Sequence, residues 1–416
     1  MYDLIVGGGG FAGIAAACSA AREGLSVLLI EKSGFLGGAA CNCYVNPFMR
    51  YHVTLNGEDR MIADGLFRSI LTRLEKKDAL MKNRRGFNEE LLKLIFDEMA
   101  EEYGIKVLLH SYIIAAQTED AVLKRVTVAT KSGTMDFEAR YFIDATGDAD
   151  LSVLAGCGWH LGRAADNLCQ PMTLCFRIAG VDFDKLTPEV WKEANALYTT
   201  YRMEGKIKNP REDILHFPHV AEGVIHLNST RIVKKNPVDV FDISAAEQLA
   251  RKQEYELYTF LKEHVPGFEN SVLLASAPEI GVRESRLIEG EYTLTEADLK
   301  NCTKFEDAIA ACNYDIDIHN PAGSGTSHYF FKENEYYTIP FRCLQPKGMK
   351  NLLTTGRCIS STHEAQASYR IMPTCCALGE AAGTAISVCA AQNVPCTDAD
   401  VPLIRQKLIE NGAFLG

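Results

Sequence analysis

The apolar positions of the chain fall into three textures. Residues 3–7 form a short unbroken apolar run, 11–23 an alanine-rich stretch, and LSVLLIE a β-branched run ending in Glu31. A short run, a helix-period stretch and a second short run predict β-α-β. Residues 62–77 and 88–103 repeat their apolar positions at helical spacing, with Asn88 placed to cap the second stretch. KVLLHSYIIAA, RVTVAT and MDFEARYFIDATG then predict strands. From 170 to 345 the pattern turns irregular and strand-like, with helices expected near 188–204 and 244–263 and a loop-rich stretch over 314–340. The α/β texture returns with NLLTTGRCISS, a strand and loop, and with PTCCALGEAAGTAISVCAAQ, a small-residue helix opening on a proline.

Length and charge narrow the classes. A chain of 416 residues suggests two to three domains. The formal charge of −11 disfavours a broad footprint for nucleic acid or an anionic membrane, since phosphate binding needs clustered Lys and Arg. Met-Tyr-Asp passes directly into an apolar run with no basic n-region, and no stretch is read as the twenty apolar residues of a membrane span. A cytoplasmic protein is expected, with neither nucleic acid nor membrane as partner. The fourteen cysteines contain no C-x-x-C pair, only Cys41-x-Cys43 and the adjacent Cys375 and Cys376, so they read as reduced core residues.

Chemistry enters at the first turn. Gly8, Gly10 and Gly13 satisfy G-x-G-x-x-G after a strand and at the mouth of a helix. The first glycine makes the tight turn, the second admits a pyrophosphate, and the third lets helix and strand pack closely. The helix N-terminus presents free N–H groups to a diphosphate, and Glu31 ends the second strand where a carboxylate accepts from ribose hydroxyls. Dinucleotide binding is the expectation.

From Glu31 to Gly37 and Gly38 the chain resembles the FAD-binding domain of the glutathione-reductase-type flavoproteins, and Ala145-Thr146-Gly147 resembles the motif that packs a strand under their cofactor. NLLTTGRCISSTHEAQASYRIMPTCCALGEAAGTA closely resembles the C-terminal signature of an FAD-dependent oxidoreductase family often labelled xanthan-lyase-associated. QPMTLCFRIAGVD, HVPGFEN and IGVRESRLIEGEYTLTEAD extend the likeness over nearly the whole chain. The resemblance implies an α/β fold: a Rossmann-like FAD-binding domain, discontinuous over 1–169 and 346–395, with an inserted α+β substrate domain over 170–345 and a tail, 396–416, packed on the first domain. It implies FAD held by Gly8, Gly10, Phe11, Ala12 and Gly13, by Glu31 and Lys32, and by Gly37, Gly38 and Ala40. Ile113, Ala145, Thr146, Gly147, Gly356, Arg357, Met372 and Thr374 complete the set, with the helix near Pro373 directed at the flavin. Many members of the superfamily carry an acidic residue after the glycine that Gly356 matches; Arg357 stands there, which leaves the ribityl contact unassigned.

For catalysis, His363 is the first candidate proton acceptor, and Arg370 adds positive charge near the flavin. Arg283 and Arg286, three apart, would share one face of a helix and suit a carboxylate or a polyol, with salt bridges as the alternative. Tyr51 and His52 lie in a stretch that the resemblance places near the flavin, where covalent attachment at 41–52 is left open; His319, His328, Tyr336 and Tyr337 are further cavity candidates. His216-x-x-His219 is interrupted by Pro218, and no metal is expected. No second G-x-G-x-x-G follows, so no separate nicotinamide domain is expected. The expected activity is hydride transfer between flavin N5 and a small polar substrate, favouring an alcohol carbon of a sugar-like or hydroxy-acid compound, with a separate electron-transfer partner. Reduction of an activated C=C bond is the alternative. RNA modification, or service as the flavoprotein subunit of an electron-transfer complex, are readings of another class. Substrate identity and oligomeric state are not determined by the sequence.

Overall fold

The computed structural model describes all 416 residues. Strand β1 (Tyr2–Gly7), helix α1 (Phe11–Arg22) and strand β2 (Val27–Ile30) form the expected opening unit. Helices α2 (Leu66–Lys76) and α3 (Glu89–Glu102) follow, the second capped by Asn88, whose side chain accepts from the N–H groups of Glu90 and Leu91. The chain then makes β3 (Lys106–Leu108) and a meander of β4 (Tyr112–Glu119), β5 (Val122–Thr130) and β6 (Gly133–Asp144). The sheet runs β3-β2-β1-β6-β5-β4. β6 serves two purposes: its first half pairs antiparallel with β5, and its second half pairs parallel with β1, Val6 lying opposite Ile143.

After β6 the chain leaves this sheet for a second one. β7 (Phe176–Ala179), helix α4 (Pro188–Met203), β8 (His216–Pro218), β9 (Val224–Leu227), helix α5 (Val240–His264) and β10 (Val272–Ser276) follow in order. The four strands form an antiparallel sheet, β8-β9-β7-β10. Its apolar core, including Phe176, Ile225, Tyr198 and Phe260, is separate from that of the first sheet. Helix α5 begins four residues before the predicted start because Asp239 caps it, accepting from Phe241 and Asp242 N–H. The chain returns through β11 (Leu352–Thr354), which pairs parallel with β6, to α6 (Met372–Gln392) and α7 (Val401–Glu410).

At the centre of the first sheet, β2 and the stretch Leu4–Val6 of β1 are apolar at every position because both faces are covered there. Leu4, Val6, Leu29, Ile143 and Leu353 point into the large core shared with α1 and α6. Ile5, Leu28, Ile30, Phe142 and Leu352 point to the opposite core beneath the meander. Helices α1 and α6 approach backbone to backbone. A Cβ on Gly379 would lie 2.0 Å from the Ala12 carbonyl oxygen, and one on Gly383 2.2 Å from that of Ala16. Helix α6 is therefore small-residue and apolar all round because it is a central core helix. It is long and apolar enough to cross a bilayer, which the sequence reading had not recognised, and 94% of its apolar window is buried.

Several expectations need correction. Residues 281–286 are irregular rather than helical, with a bend at Arg283, and Arg286 opens the strand Arg286–Ile288. The loop-rich 314–340 stretch contains paired strands, Ile316–His319 with Thr326–Tyr329, while Ala308–Cys312 pairs with Tyr337–Pro340. Ile309, Ile316, Tyr337 and Leu344 belong to the core under the first sheet, so apolar packing does not divide at residue 345. His363 lies in a short helix, His363–Tyr369, capped by Thr362.

Candidate active site

The glycines of the first turn answer different demands. Gly8 has φ +97°, and a Cβ there would lie 2.4 Å from the Ala145 carbonyl oxygen. At Gly13 a Cβ would lie 1.8 Å from the Gly8 oxygen, which is the close helix–strand packing the spacing predicts. Gly10 is unlike both, since a Cβ there would meet only Gly38 Cα, at 3.6 Å. Gly38 itself has φ +49°, and its Cβ would stand 2.8 Å from Gly10 Cα. Gly37 N–H donates to the Gly9 oxygen at 2.9 Å. The second glycine pair thus seats one loop backbone against the other, making a single edge of the cleft.

Glu31 braces the same edge. One carboxylate oxygen accepts from Gly9 N–H at 2.6 Å, and the other from Ser33 N–H at 2.8 Å. On the opposite edge Asp144, fully buried, accepts from Thr146 N–H and hydroxyl and from Ser152 N–H. Neither Asp148 nor Asp150 caps the short helix Asp150–Leu154; the Thr146 hydroxyl instead accepts from Asp150 N–H.

Between these edges runs a cleft with three connected parts. The first is lined by Glu31, Lys32, Ile113, Asp150 and Val240. The middle part is lined by Gly8, Gly10, Phe11, Ala12 and Gly38 on one edge and by Ala145, Thr146, Gly147 and Gly356 on the other. Arg357, Arg370 and Met372 pass from the middle part into the third, a cavity of about 540 Å³ against the second sheet. Lys32 pairs with Glu279 at 3.1 Å. Gly13, Gly37, Ala40 and Thr374 do not line the cleft: the two glycines are packing positions, and Ala40 and Thr374 are buried beneath it.

The residues of the middle part fit a dinucleotide. No side chain caps the N-terminus of α1, so its first N–H groups, at Phe11 and Ala12, have no intrahelical acceptor and sit at the cleft. The Thr355 hydroxyl, on the facing wall, is buried without a hydrogen-bond partner. Residues 3–408 match the model of the family described as FAD dependent oxidoreductase. The chain belongs to that family. Its cofactor is FAD, which supplies a two-electron carrier when bound. Glutathione reductase of Schizosaccharomyces pombe is 26% identical over 246 residues, 56% of this chain and 52% of the relative, so the match spans about half of that protein's length. Among solved structures, a geranylgeranyl bacteriochlorophyll reductase-like protein from Thermoplasma acidophilum aligns over 98% of this chain and 82% of its own, with 13% identity and a TM-score of 0.46. The flavin-dependent brominase Bmp2 aligns over 97% and 83%, with 12% identity and a TM-score of 0.49.

In this oxidoreductase Arg357 joins the two walls. Its guanidinium donates to the Gly147 carbonyl at 2.8 Å, and also to the Val282 carbonyl and the Asp148 carboxylate. Burial opposes the charge of Asp148, but Arg357, helped by Ser285, outweighs it and holds the carboxyl below its usual range. The carboxylate at this corner is that of Asp148.

The third cavity gathers residues distant in sequence. Arg211, Asn228, Arg283, Tyr314, Asp317, His319, His328 and Arg370 all line it. Arg283 donates to the Pro171 carbonyl, the Thr173 hydroxyl and, at 3.3 Å, the Asn228 side-chain oxygen. Burial, with the Arg370 and Arg211 guanidinium groups nearby, works against its positive charge. His319 Nδ1 lies 3.1 Å from Arg231 Nη2, a donor only, so Nδ1 accepts and Nε2 carries the proton towards Asp317, 3.4 Å away. Burial and the Arg283 charge push His319 down to about 3, keeping the ring neutral. Burial by itself would raise the Asp317 carboxyl, but His319, Arg370 and His328 hold it well below the carboxylate range. Tyr314 donates its hydroxyl to Asp317 at 3.0 Å.

Other sequence candidates fall outside this space. His363 Nδ1 is bound to both Glu284 oxygens, at 2.7 and 2.8 Å, and the ring lines neither the cleft nor the cavity. Tyr51 is buried in an aromatic cluster with Phe67, its hydroxyl donating to the Arg84 carbonyl at 2.6 Å; the stretch 41–52 reaches the cavity through Val45, Pro47 and Met49 instead. His52 pairs with Asp59 on a surface hairpin. Arg286 turns away to Asp150 and the Asp148 carbonyl, so it never shares a face with Arg283. Tyr337 is core, bonded to Ser368, and Tyr336 packs on Phe414. His216 stacks on Trp191 while His219 approaches Glu89. The sequence reading missed Arg211, Tyr314 and Asp317. Only the alternation of Asp317 and His319 on one strand offered a signal for them, since residues two apart share a sheet face.

Proposed function

We propose that this FAD-dependent oxidoreductase oxidises an alcohol carbon of a small polar substrate seated in the third cavity. The observation that carries the reading is continuity: Arg357, Arg370 and Met372 belong both to the cofactor cleft and to a polar cavity against the second sheet. A substrate there meets the inner end of the cleft while the rest of the cleft is filled by cofactor.

Oxidation of a carbinol to a carbonyl releases a hydride from carbon and a proton from oxygen. The chain must position the first and accept the second. His328 is the proton acceptor in this reading. Its ring lies on the cavity wall, stacked on Phe330 at 5.3 Å, with Nδ1 3.7 Å from Asp317 Oδ1. The electrons leave to a separate partner in this reading.

The test is anaerobic mixing of the flavin-loaded protein with hydroxy acids and sugars while the visible flavin band is followed. Bleaching by an alcohol, slowed at least tenfold in His328→Gln at unchanged flavin content, is the expected result. A band that no alcohol bleaches, in a protein whose chemically reduced flavin is reoxidised by a conjugated enoate, would replace this reading with C=C reduction.

A further inference from the structure

We infer that the third cavity is a binding site for a hydroxy-monocarboxylate, with Arg283 and Arg211 receiving the carboxylate and Asp317 receiving the hydroxyl. This rests on the proposed alcohol oxidation for its catalytic meaning, but the binding argument stands on charge and hydrogen-bond accounting at the cavity.

Four of the guanidinium groups in and around the cavity have a carboxylate. Arg211 lies 2.8 Å from Asp213, Arg231 2.9 Å from Glu212, and Arg370 3.7 Å from Asp317, while Arg357 is bound to Asp148. Arg283 has none, and its three protein partners are neutral oxygens. One positive charge is therefore left over on a part-buried side chain of the cavity wall, where an unpaired charge is costly. A single carboxylate cancels it; a second would be in excess.

Two orphaned atoms sharpen the ligand. Arg211 is 6% exposed, and its Nη1 is a buried donor without a partner. Asp317 is 7% exposed, and its Oδ1 is a buried acceptor without a hydrogen bond. A donor and an acceptor stand unsatisfied on the wall of one cavity. A simple carboxylate answers the guanidinium groups and leaves Asp317 unanswered. A neutral polyol answers Asp317 and leaves Arg283 unpaired. A molecule bearing one carboxylate and a hydroxyl satisfies both, and guanidinium forks match carboxylate geometry. Oxidation of the hydroxyl removes the proton that the ligand donates to Asp317 Oδ1 and delivers it to His328, whose Nδ1 lies 3.7 Å from that oxygen, which lowers affinity for the product.

The experiment is calorimetric titration of the flavin-loaded protein with unbranched monocarboxylates of two to six carbons, with and without hydroxyls, each against its uncharged amide. At least one hydroxy-monocarboxylate should bind, ten times or more tightly than its amide and than the same acid without the hydroxyl. Arg283→Gln should abolish the preference over the amide, and Asp317→Asn should reduce the preference for the hydroxyl; the visible spectrum reports whether each variant keeps its flavin. Should either variant lose flavin, the acid–amide and hydroxyl–deoxy contrasts in the unmodified protein decide alone. No binding by any acid, or acids and amides binding alike, would overturn the proposal. Selective binding without anaerobic bleaching would uphold the site and sink the oxidation reading, whereas bleaching by neutral sugars alone would do the reverse.

Discussion

Glu31 separates two ways in which a carboxylate can serve a dinucleotide site. As a ribose ligand it would matter only with cofactor present. As observed, it also accepts Gly9 N–H at 2.6 Å and Ser33 N–H at 2.8 Å, so it should hold the glycine turn in the cofactor-free protein as well. Glu31→Gln keeps shape and removes charge, but an amide presents one oxygen and one NH2 to two N–H donors. One charge-assisted hydrogen bond is lost, at a cost of about 1.5–3 kcal/mol. With an unfolding entropy of about 2.1 cal/mol/K per residue, a chain this long loses roughly 1 °C of Tm per kcal/mol, so a fall of about 2–3 °C is expected without FAD. If the same energy is drawn from cofactor binding, the Kd for FAD rises about 10- to 150-fold. Thermal melts of the protein stripped of flavin and fluorescence titration with FAD measure the two effects. An unchanged melt beside a collapsed FAD affinity would refute the bracing argument and leave Glu31 as a ligand only.

Gly38→Ala should weaken FAD binding tenfold or more, because it adds about 1–3 kcal/mol of backbone strain and drives the two cleft loops apart, whereas Gly24→Ala, with φ +89° and nothing within 4 Å, should leave FAD titrations unchanged. Equal effects of the two would show that the loop contact is irrelevant. His226 is buried with neither ring nitrogen bonded, and burial, followed by the Arg177 charge, lowers it to about 3. Its folded value is depressed, so the unfolded state binds the extra proton: stability is complete above the unfolded value of about 6.5 and falls by about 1.4 kcal/mol per pH unit between roughly pH 6 and 4. Urea melts of His226→Phe over that range should show a slope smaller by that amount. Thirteen of the fourteen cysteines are buried and only Cys302 is partly accessible, so a thiol reagent should label at most one site in the folded protein and all fourteen after denaturation. Rapid native labelling at Cys41 or Cys43 would contradict the packing described.

Local order along the chain was enough to specify the opening β-α-β unit, the glycine turn and the small-residue helix at Met372–Gln392, because each depends on contacts between near neighbours or on a repeating apolar period. The same order suggested Arg283 with Arg286, and His363 as a base, from proximity in sequence. Folding separates the first pair because residues 281–286 are not helical and Arg286 meets Asp150. It seals His363 against Glu284 in the interior. In their place the second sheet and the returning strands bring Arg211, Arg283, Asp317 and Arg370 to one cavity, across a separation of 159 residues between Arg211 and Arg370. No periodicity records such a meeting. The cleft was legible because its edge is a turn made by near neighbours in sequence, whereas the cavity is built from charges whose partners are chosen only when distant segments pack and lose their water.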